Sequence, residues 1–418
     1  MKRIRRLLIA NRGEIAVRII RTCRTLGITP LAVYSPVDRS APHVRLADRA
    51  WSLPADPPAE SYLNIARLLE IARAAGADAI HPGYGFLAEN PAFAAACAEA
   101  GLLFVGPPEG VLARCGDKVH AREQIARAGV PVLPGTGAVS EEEAQASAGR
   151  IGYPLLIKAV GGGGGKGIHL VERAADLPSA LRLARGEAVA AFGDPRLYLE
   201  RWLPRPRHVE VQILADARGA IIHLGERECS IQRRHQKVIE ESPSPALTPA
   251  LRERLGAAAV AAARAVGYVN AGTVEFLLDG AAFYCIEVNA RLQVEHPITE
   301  TITGLDLVEA QLRIAEGEPL GLRQEEVTWR GHALECRVGA EDPHHGFLPS
   351  VGVIEAVREP GGPGVRVDSG LVPGLPVSRY FDPLLAKVIT WGATREAALD
   401  RMEGALAEMA VAGVRTTL

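Results

Sequence analysis

Five consecutive glycines, Gly161 to Gly165, separate two short apolar segments, residues 154–160 and 168–171. Such a run rules out helix, because glycine loses the most backbone freedom on folding. The apolar segments on either side read as two strands. The first strand carries Lys158, and Lys166-Gly167 closes the glycine run. Glycines of this kind let backbone amides approach phosphates closely. The segment is not a P-loop: valine stands at 160 where that pattern needs glycine, glycine stands at 167 where it needs Ser or Thr, and a strand follows instead of a helix. Strand–glycine loop–strand is the layout of a flap over nucleotide phosphates. The competing reading is a flexible linker, which would bring in Ser and lack apolar strands on both sides.

The flap sits inside a long chain. At 418 residues, 48% of them hydrophobic, it holds two to four domains with a sizeable core. Over residues 1–115, short apolar strands at 7–10, 31–34, 79–80 and 102–105 alternate with helical stretches at 15–26 and 62–75. That pattern predicts a parallel, Rossmann-like sheet. No GxGxxG follows the first strand, so a dinucleotide site is not supported. His81-Pro82-Gly83-Tyr84-Gly85 follows a strand end, where open α/β sheets bind ligands; by itself it reads as a glycine-rich turn with a packed tyrosine. Gly116-Asp117-Lys118 leads into a helix that runs to Gly129, and Lys118 by itself reads as an ordinary first-turn lysine.

Beyond the flap, residues 177–192 form a helix with Asp176 as its cap and Gly193 after its end. Residues 197–202 are strand-like and contain Glu200. Residues 208–214 alternate, with His208, Glu210 and Gln212 opposed to Val209, Val211 and Ile213. Residues 226–241 are dense in charge of both signs. Their glutamates offset a basic patch for nucleic acid, and a solvated loop is the usual meaning of such a segment. An anion-handling loop with Lys237 as a point charge is the third reading. Thr248 and Pro249 open a helix that ends before Gly267. Residues 273–278 and 282–288 pair as strands across Asp279-Gly280, which sets Glu275 opposite Glu287. Facing carboxylates repel unless a cation lies between them. With Asn289 they form an oxygen set suited to Mg²⁺ on nucleotide phosphates.

Read as one strand, residues 286–296 put Glu287, Asn289, Arg291, Gln293 and Glu295 on one face and Ile286, Val288, Ala290, Leu292 and Val294 on the other. A plain solvated face is the ordinary meaning of alternation, but two carboxylates, an amide and a guanidinium suit a hard cation beside an anion. His296-Pro297 closes the run. Residues 330–418 form a third, mixed α+β region.

Net charge is −2 at pH 7, which argues against general nucleic-acid binding. The six cysteines are dispersed with no CxxC, as in a cytoplasmic protein with reduced thiols and no zinc site. No apolar run approaches a membrane span, and the basic N-terminus lacks a signal-peptide core.

Several of these stretches together resemble biotin carboxylase, the ATP-grasp component of biotin-dependent carboxylases. They are Asn11-Arg12-Gly13-Glu14-Ile15-Ala16, residues 81–86, Gly116-Asp117-Lys118, Lys158-Ala159 with its glycine loop, residues 232–237, Glu275-Phe276, residues 287–296 and Glu335-Cys336-Arg337. The resemblance runs from the first strand to the last residue. It implies a Rossmann-like N-terminal domain (1–115), an ATP-grasp domain (116–329, with the flap at about 134–203) and a C-terminal domain (330–418). It implies nucleotide contacts at Lys118, Lys158, Gly163, Gly164, Gly165, Glu200, Leu203, His208, Gln232, His235 and Leu277. It implies divalent-metal ligands at Glu275, Glu287 and Asn289. Lys237, Arg291, Gln293, Val294 and Glu295 match the bicarbonate site; Tyr84 and Arg337 match positions near the biotin ring; Glu295 matches the base.

The implied substrates are ATP with Mg²⁺ or Mn²⁺, bicarbonate, and biotin borne on a carrier. The implied partners are a biotin carboxyl carrier protein or domain, carboxyltransferase subunits and a second copy of the chain. No Met-Lys-Met occurs, so biotin is expected to arrive on a partner or on a further C-terminal segment. The family continues for about one more strand–helix unit past Leu418, so a clipped C-terminal domain or a longer polypeptide, with less apolar area buried there, is expected. Another ATP-grasp ligase, such as a carbamoyl-phosphate or purine-pathway enzyme, would not be expected to carry residues 291–296 together with Arg337. A non-catalytic nucleotide-binding regulatory subunit would be expected to have lost the metal ligands or the base, and all of them are present.

Overall fold

A computed structural model describes residues 3–162 and 167–418. The four apolar runs join a fifth strand that the sequence does not announce, the half-exposed Arg49–Ser52, in a parallel sheet ordered Arg49–Ser52, Thr29–Tyr34, Arg6–Ile9, Ala79–His81 and Leu103–Phe104. Leu7 and Ile9 pack with the helix Gly13–Thr25 on one face, and Leu8 packs with the helix Ile65–Ala75 on the other. Burial on both faces is why these strands read as unbroken apolar runs. The order of connection reverses between Arg6–Ile9 and Ala79–His81, so the loops leaving those two strands flank the switch point where open sheets bind ligands. Asn11 staples the loops together: its Nδ2 donates to the carbonyls of Pro82 (2.7 Å) and Tyr84 (2.8 Å).

The flap is a small antiparallel sheet ordered Ile168–Val171, Leu155–Ala159 and Leu197–Arg201. The helices Glu141–Ile151 and Leu177–Phe192 cover it, and Ala148, Leu155, Ile157, Leu181 and Leu199 give it a hydrophobic core of its own. Asp176 stands at the N-cap of the second helix, but its side chain makes no capping bond there. A 3-10 turn, Ala174–Asp176, precedes that helix, and the Asp176 carboxylate accepts instead from Arg173 Nε at 2.9 Å. Gly163, Gly164 and Gly165 lie outside the described residues.

The centre of the molecule is one eight-stranded antiparallel sheet. Its strands run in the order Ala282–Asn289, Asn270–Asp279, Arg207–Ala215, Ile221–Arg233, Gln236–Ser242, His332–Gly339, Leu384–Gly392 and Val365–Ser369. Pairing of Gln236–Ser242 with His332–Gly339 carries the sheet without a break past residue 330. Apolar residues of one face, among them Val209, Val211, Val274 and Phe276, pack under the helix Pro249–Ala265. Thr248 caps that helix through Leu251 N–H, as the sequence predicts.

Two expectations fail in this sheet. Residues 226–241 are not a solvated loop. They lie in the hairpin of Ile221–Arg233 and Gln236–Ser242, joined by Arg234 and His235, which both take positive φ. Glu226, Arg227, Glu228, Glu240 and Glu241 are buried there. Buried charge needs partners, and they come from distant elements: Arg252 for Glu226 (2.9 Å), Arg337 for Glu240 (2.7 Å) and Arg395 for Glu241 (2.6 Å).

Nor is 286–296 a single strand. Glu287 stands opposite Glu275 but Cys285 stands opposite Phe276, so Ile286 is the extra residue of a β-bulge. The faces exchange at the bulge, and Cys285 and Val288 both join the same core. The strand ends at Asn289, and His296 opens the helix His296–Thr303 with Pro297 in its first turn. All six cysteines are buried and free. Among the described residues, no helix is long and apolar enough to cross a membrane.

Candidate active site

Glu210, Glu275 and Lys237 come from three strands of the central sheet, and Glu295 from the segment that leaves it. The Lys237 ammonium lies 2.5 Å from Glu210 Oε2, 2.8 Å from Glu275 Oε1 and 2.7 Å from Glu295 Oε1. Burial alone would push this amine down, but the three carboxylates outweigh it and hold the group well above its ordinary value. Burial likewise works against the Glu295 carboxylate, yet Lys237, Arg337 and Arg227 keep it well below the usual range, so it is anionic at neutral pH. Arg337 bridges two carboxylates, donating from Nε to Glu240 Oε1 (2.7 Å) and from Nη2 to Glu295 Oε2 (2.8 Å). Of these groups, the Glu240 carboxyl is pushed by burial up to about 7.

Leaving the sheet at Asn289 lets the segment 290–295 turn its side chains back onto this cluster. Glu89, from the N-terminal region, grips the start of the segment: its carboxylate accepts from Ala290 N–H (2.9 Å) and Arg291 Nε (2.8 Å). Arg291 Nη2 also donates to Asn289 Oδ1 (3.1 Å). The Val294 carbonyl accepts from Lys387 Nζ at 2.7 Å.

Gln293 is oriented from both ends, accepting at Oε1 from Arg227 Nη2 (3.2 Å) and donating from Nε2 to Glu275 Oε1 (3.0 Å). Arg227 is fully buried and also donates to Glu210 (2.5 Å), Gln212 (2.6 Å), Thr273 (2.9 Å) and Thr299 (3.0 Å). Truncating it leaves buried acceptors unpaired and Glu210 dependent on Lys237 alone. Arg227→Met is therefore expected to lower unfolding stability by about 3 kcal/mol, read as a fall in the denaturant midpoint at unchanged slope.

The oxygen set assembles at the edge of the sheet. Glu275 and Glu287 are direct cross-strand partners, and Asn289 faces Thr273 two positions along. Glu287 Oε2 is paired with Lys118 Nζ at 2.6 Å, which brings this first-turn lysine against the oxygen set. Glu275 Oε2 lies 3.1 Å from His208 Nε2. Two carboxylates and an amide oxygen, each now answered by an organic cation or donor, fit a hard divalent cation. His208, Glu210 and Glu275 also offer ligand atoms within 4.8 Å of one another, but the Lys237 ammonium already occupies that cluster.

A second patch adjoins it. His208 is the cross-strand partner of Leu277, and His208 Nδ1 meets Gln232 Nε2 at 3.2 Å. His235 stands exposed at the hairpin tip. Lys158 and Glu200 form an ion pair on adjacent flap strands, and Leu203 is buried just past the second of them. Arg122, from the helix Lys118–Arg127, reaches Glu200 Oε1 at 3.9 Å and so ties the flap to the body. Tyr84 does not touch the Lys237 cluster; it sits at the switch point, with its hydroxyl donating to Glu14.

Reasoning from sequence missed Glu89, Glu210, Arg227, Glu240 and Lys387. Glu210 was visible in the alternation of its strand, but its neighbours were not.

Three family descriptions match successive parts of the chain: biotin carboxylase, N-terminal domain, over residues 3–112; carbamoyl-phosphate synthase L chain, ATP binding domain, over 117–323; and biotin carboxylase C-terminal domain over 335–418. Biotin carboxylase 1 of Bacillus subtilis is 51% identical over 419 residues, covering 99% of this chain and 93% of the Bacillus protein. The chain belongs to the biotin carboxylase family. It is thus an ATP-dependent carboxylating ligase with a biotin carboxylase fold. A pyruvate carboxylase component of Methanothermobacter thermautotrophicus is also 51% identical, over 99% of this chain and 84% of that protein. Among solved biotin carboxylases, the domain dimer of Hydrogenobacter thermophilus 2-oxoglutarate carboxylase, in complex with MgADP, ADP and bicarbonate, superposes with a TM-score of 0.97. It is 47% identical, and the match covers all of this chain and 92% of that one.

Proposed function

We propose that this chain carboxylates biotin borne on a biotin carboxyl carrier protein or domain, using ATP and bicarbonate by way of carboxyphosphate. The observation that carries this reading is the anionic Glu295 held between Lys237 and Arg337, beside an oxygen set suited to a nucleotide's metal ion. Bicarbonate would lie against Lys237, Arg291, Gln293, the Val294 backbone and Glu295. By engaging Lys237 it relieves Glu295 of a strong partner, which raises the proton affinity of Glu295 where a proton must be taken.

Glu295 then removes the bicarbonate proton, and the freed oxygen attacks the γ-phosphorus as the bond to the bridging β–γ oxygen breaks, giving carboxyphosphate and ADP. Carboxyphosphate splits at its C–O bond into CO₂ and phosphate. The phosphate takes the N1′ proton of biotin, Arg337 stabilises the resulting enolate, and N1′ adds to CO₂. Glu275, Glu287 and Asn289 would hold Mg²⁺ or Mn²⁺, which neutralises phosphate charge when bound. Lys118, Lys158, Gly163, Gly164, Gly165, Glu200, Leu203, His208, Gln232, His235 and Leu277 would line the nucleotide. Tyr84 would face the biotin ring. A flap with its own core suits closure over a water-labile intermediate.

We place the reaction in the cytoplasm, as the first half of an acetyl-CoA carboxylase serving fatty-acid synthesis, with carboxyltransferase subunits and a second copy of this chain as partners. A second reading, in which the carboxyl group ends on pyruvate, is favoured by the equal identity to a pyruvate carboxylase component; propionyl-CoA and methylcrotonyl-CoA are the remaining acceptors. The deciding assay is ATP hydrolysis that depends on bicarbonate and is stimulated by free biotin. Folded protein without biotin stimulation would overturn the proposal. Transfer of label from ¹⁴C-bicarbonate to acetyl-CoA or to pyruvate, in the presence of the carrier and carboxyltransferase, separates the two acceptors.

A further inference from the structure

Lys387 lies on the strand Leu384–Gly392 with no exposed surface. Its ammonium makes two contacts with distant parts of the chain. It donates to the Val294 carbonyl at 2.7 Å, and it lies 3.2 Å from Glu14 Oε2 on the helix Gly13–Thr25. The other oxygen of Glu14 accepts from the Tyr84 hydroxyl, and the ammonium stands 5.9 Å from the centre of the Tyr84 ring. A lysine is a poor choice for mere packing here. Desolvating an ammonium costs several kcal/mol, and a buried ion pair is often replaced by apolar residues without loss of stability.

The contacts suggest what the lysine is for. The Val294 carbonyl belongs to the peptide plane that leads into Glu295. Fixing that plane sets the direction in which the Glu295 carboxylate leaves the backbone. The remaining residues of 290–295 have no sheet or helix to hold them. At the other end of the bridge, Glu14 fixes the hydroxyl of Tyr84 at the switch point of the N-terminal sheet.

We propose that Lys387 and Glu14 are a buried pair of positioning residues that ties the base-bearing segment 290–295 to Tyr84, holding the bicarbonate and biotin sites in register with each other. This rests on the function proposed above. It assigns to both residues a role in aligning two substrates without contact with either.

The test compares Lys387→Met, Glu14→Gln and the double variant with the wild type. The readouts are KM for bicarbonate, KM for biotin, kcat, ATP affinity and denaturant stability. Lys387→Met is expected to raise the bicarbonate KM about 10-fold or more and the biotin KM with it, while ATP affinity stays within about twofold, since the bridge bonds to Val294 and Tyr84 and to none of the residues proposed to line the nucleotide. It is also expected to destabilise the chain, because buried Glu14 loses its counter-charge and keeps only the Tyr84 hydroxyl as partner.

The double variant separates positioning from folding. Removing both charges is expected to restore most of the stability, yet the raised KM values should persist because the Val294 tether is still missing. If activity recovers with stability, the role is structural and the proposal fails. If Lys387→Met does not fold, Glu14→Gln carries the test through its biotin KM, and an unchanged value there overturns the proposal. Absence of bicarbonate-dependent, biotin-stimulated hydrolysis in the wild type would sink the function itself, a result distinct from either of these.

Discussion

Glu295→Gln is expected to lower biotin-dependent turnover by about 10²- to 10⁴-fold, the range lost with a general base, while nucleotide affinity stays close to normal. The amide cannot accept the bicarbonate proton. It also presents an NH₂ group to either Lys237 or Arg337, which now bond to opposite oxygens of the carboxylate at 2.7 and 2.8 Å. One cation must turn away, so the loss has an orientation component as well as a proton-transfer one. Nucleotide titration by fluorescence or calorimetry checks the second half of the prediction. A large loss of ATP affinity would mean that the base lies elsewhere.

Lys237→Ala is expected to be comparably severe, and through bicarbonate. Removing one preorganised charge from such a site costs about 10²- to 10³-fold in rate. Here it also leaves Glu210, Glu275 and Glu295 crowded together without the ammonium that touches all three. Like charges so placed take up protons, so the variant should bind bicarbonate poorly and carry a partly protonated base. Bicarbonate saturation of ATP hydrolysis at several pH values is the measurement. A normal saturation curve would contradict the assignment of Lys237 to the anion.

Much of this site was legible in the sequence because its signals are local. Parallel strands with both faces buried announce themselves as apolar runs. The Glu275–Glu287 pairing follows from a two-strand pattern around one turn, and the register bears it out. What was hidden depends on distant partners. The charges of residues 226–241 look like solvent-facing charge until Arg252, Arg337 and Arg395 are brought against them from other elements. Strict alternation over 286–296 conceals a bulge, because one inserted residue exchanges the two faces without disturbing the pattern of residue types. Lys387 carries no local mark at all: it sits in an apolar strand, and its meaning lies in Val294 and Glu14, at the other ends of two long loops of chain.

The unbroken central sheet has a consequence for how the protein comes apart. The strand Gln236–Ser242 is paired on one side before residue 330 and on the other side after it, and Arg337 reaches across that seam to Glu295. A chain nicked near residue 330 should therefore stay together as a non-covalent complex and unfold in a single transition. The same two pieces expressed apart would each expose a raw strand edge, the kind that seeks another strand to pair with. The flap is the reverse case. Its core is self-contained, so it can open, close or loosen without drawing the central sheet after it. Mobility and rigidity are thus divided along the chain: what must move over the substrates is built as a separate piece, and what must align them is woven into one fabric.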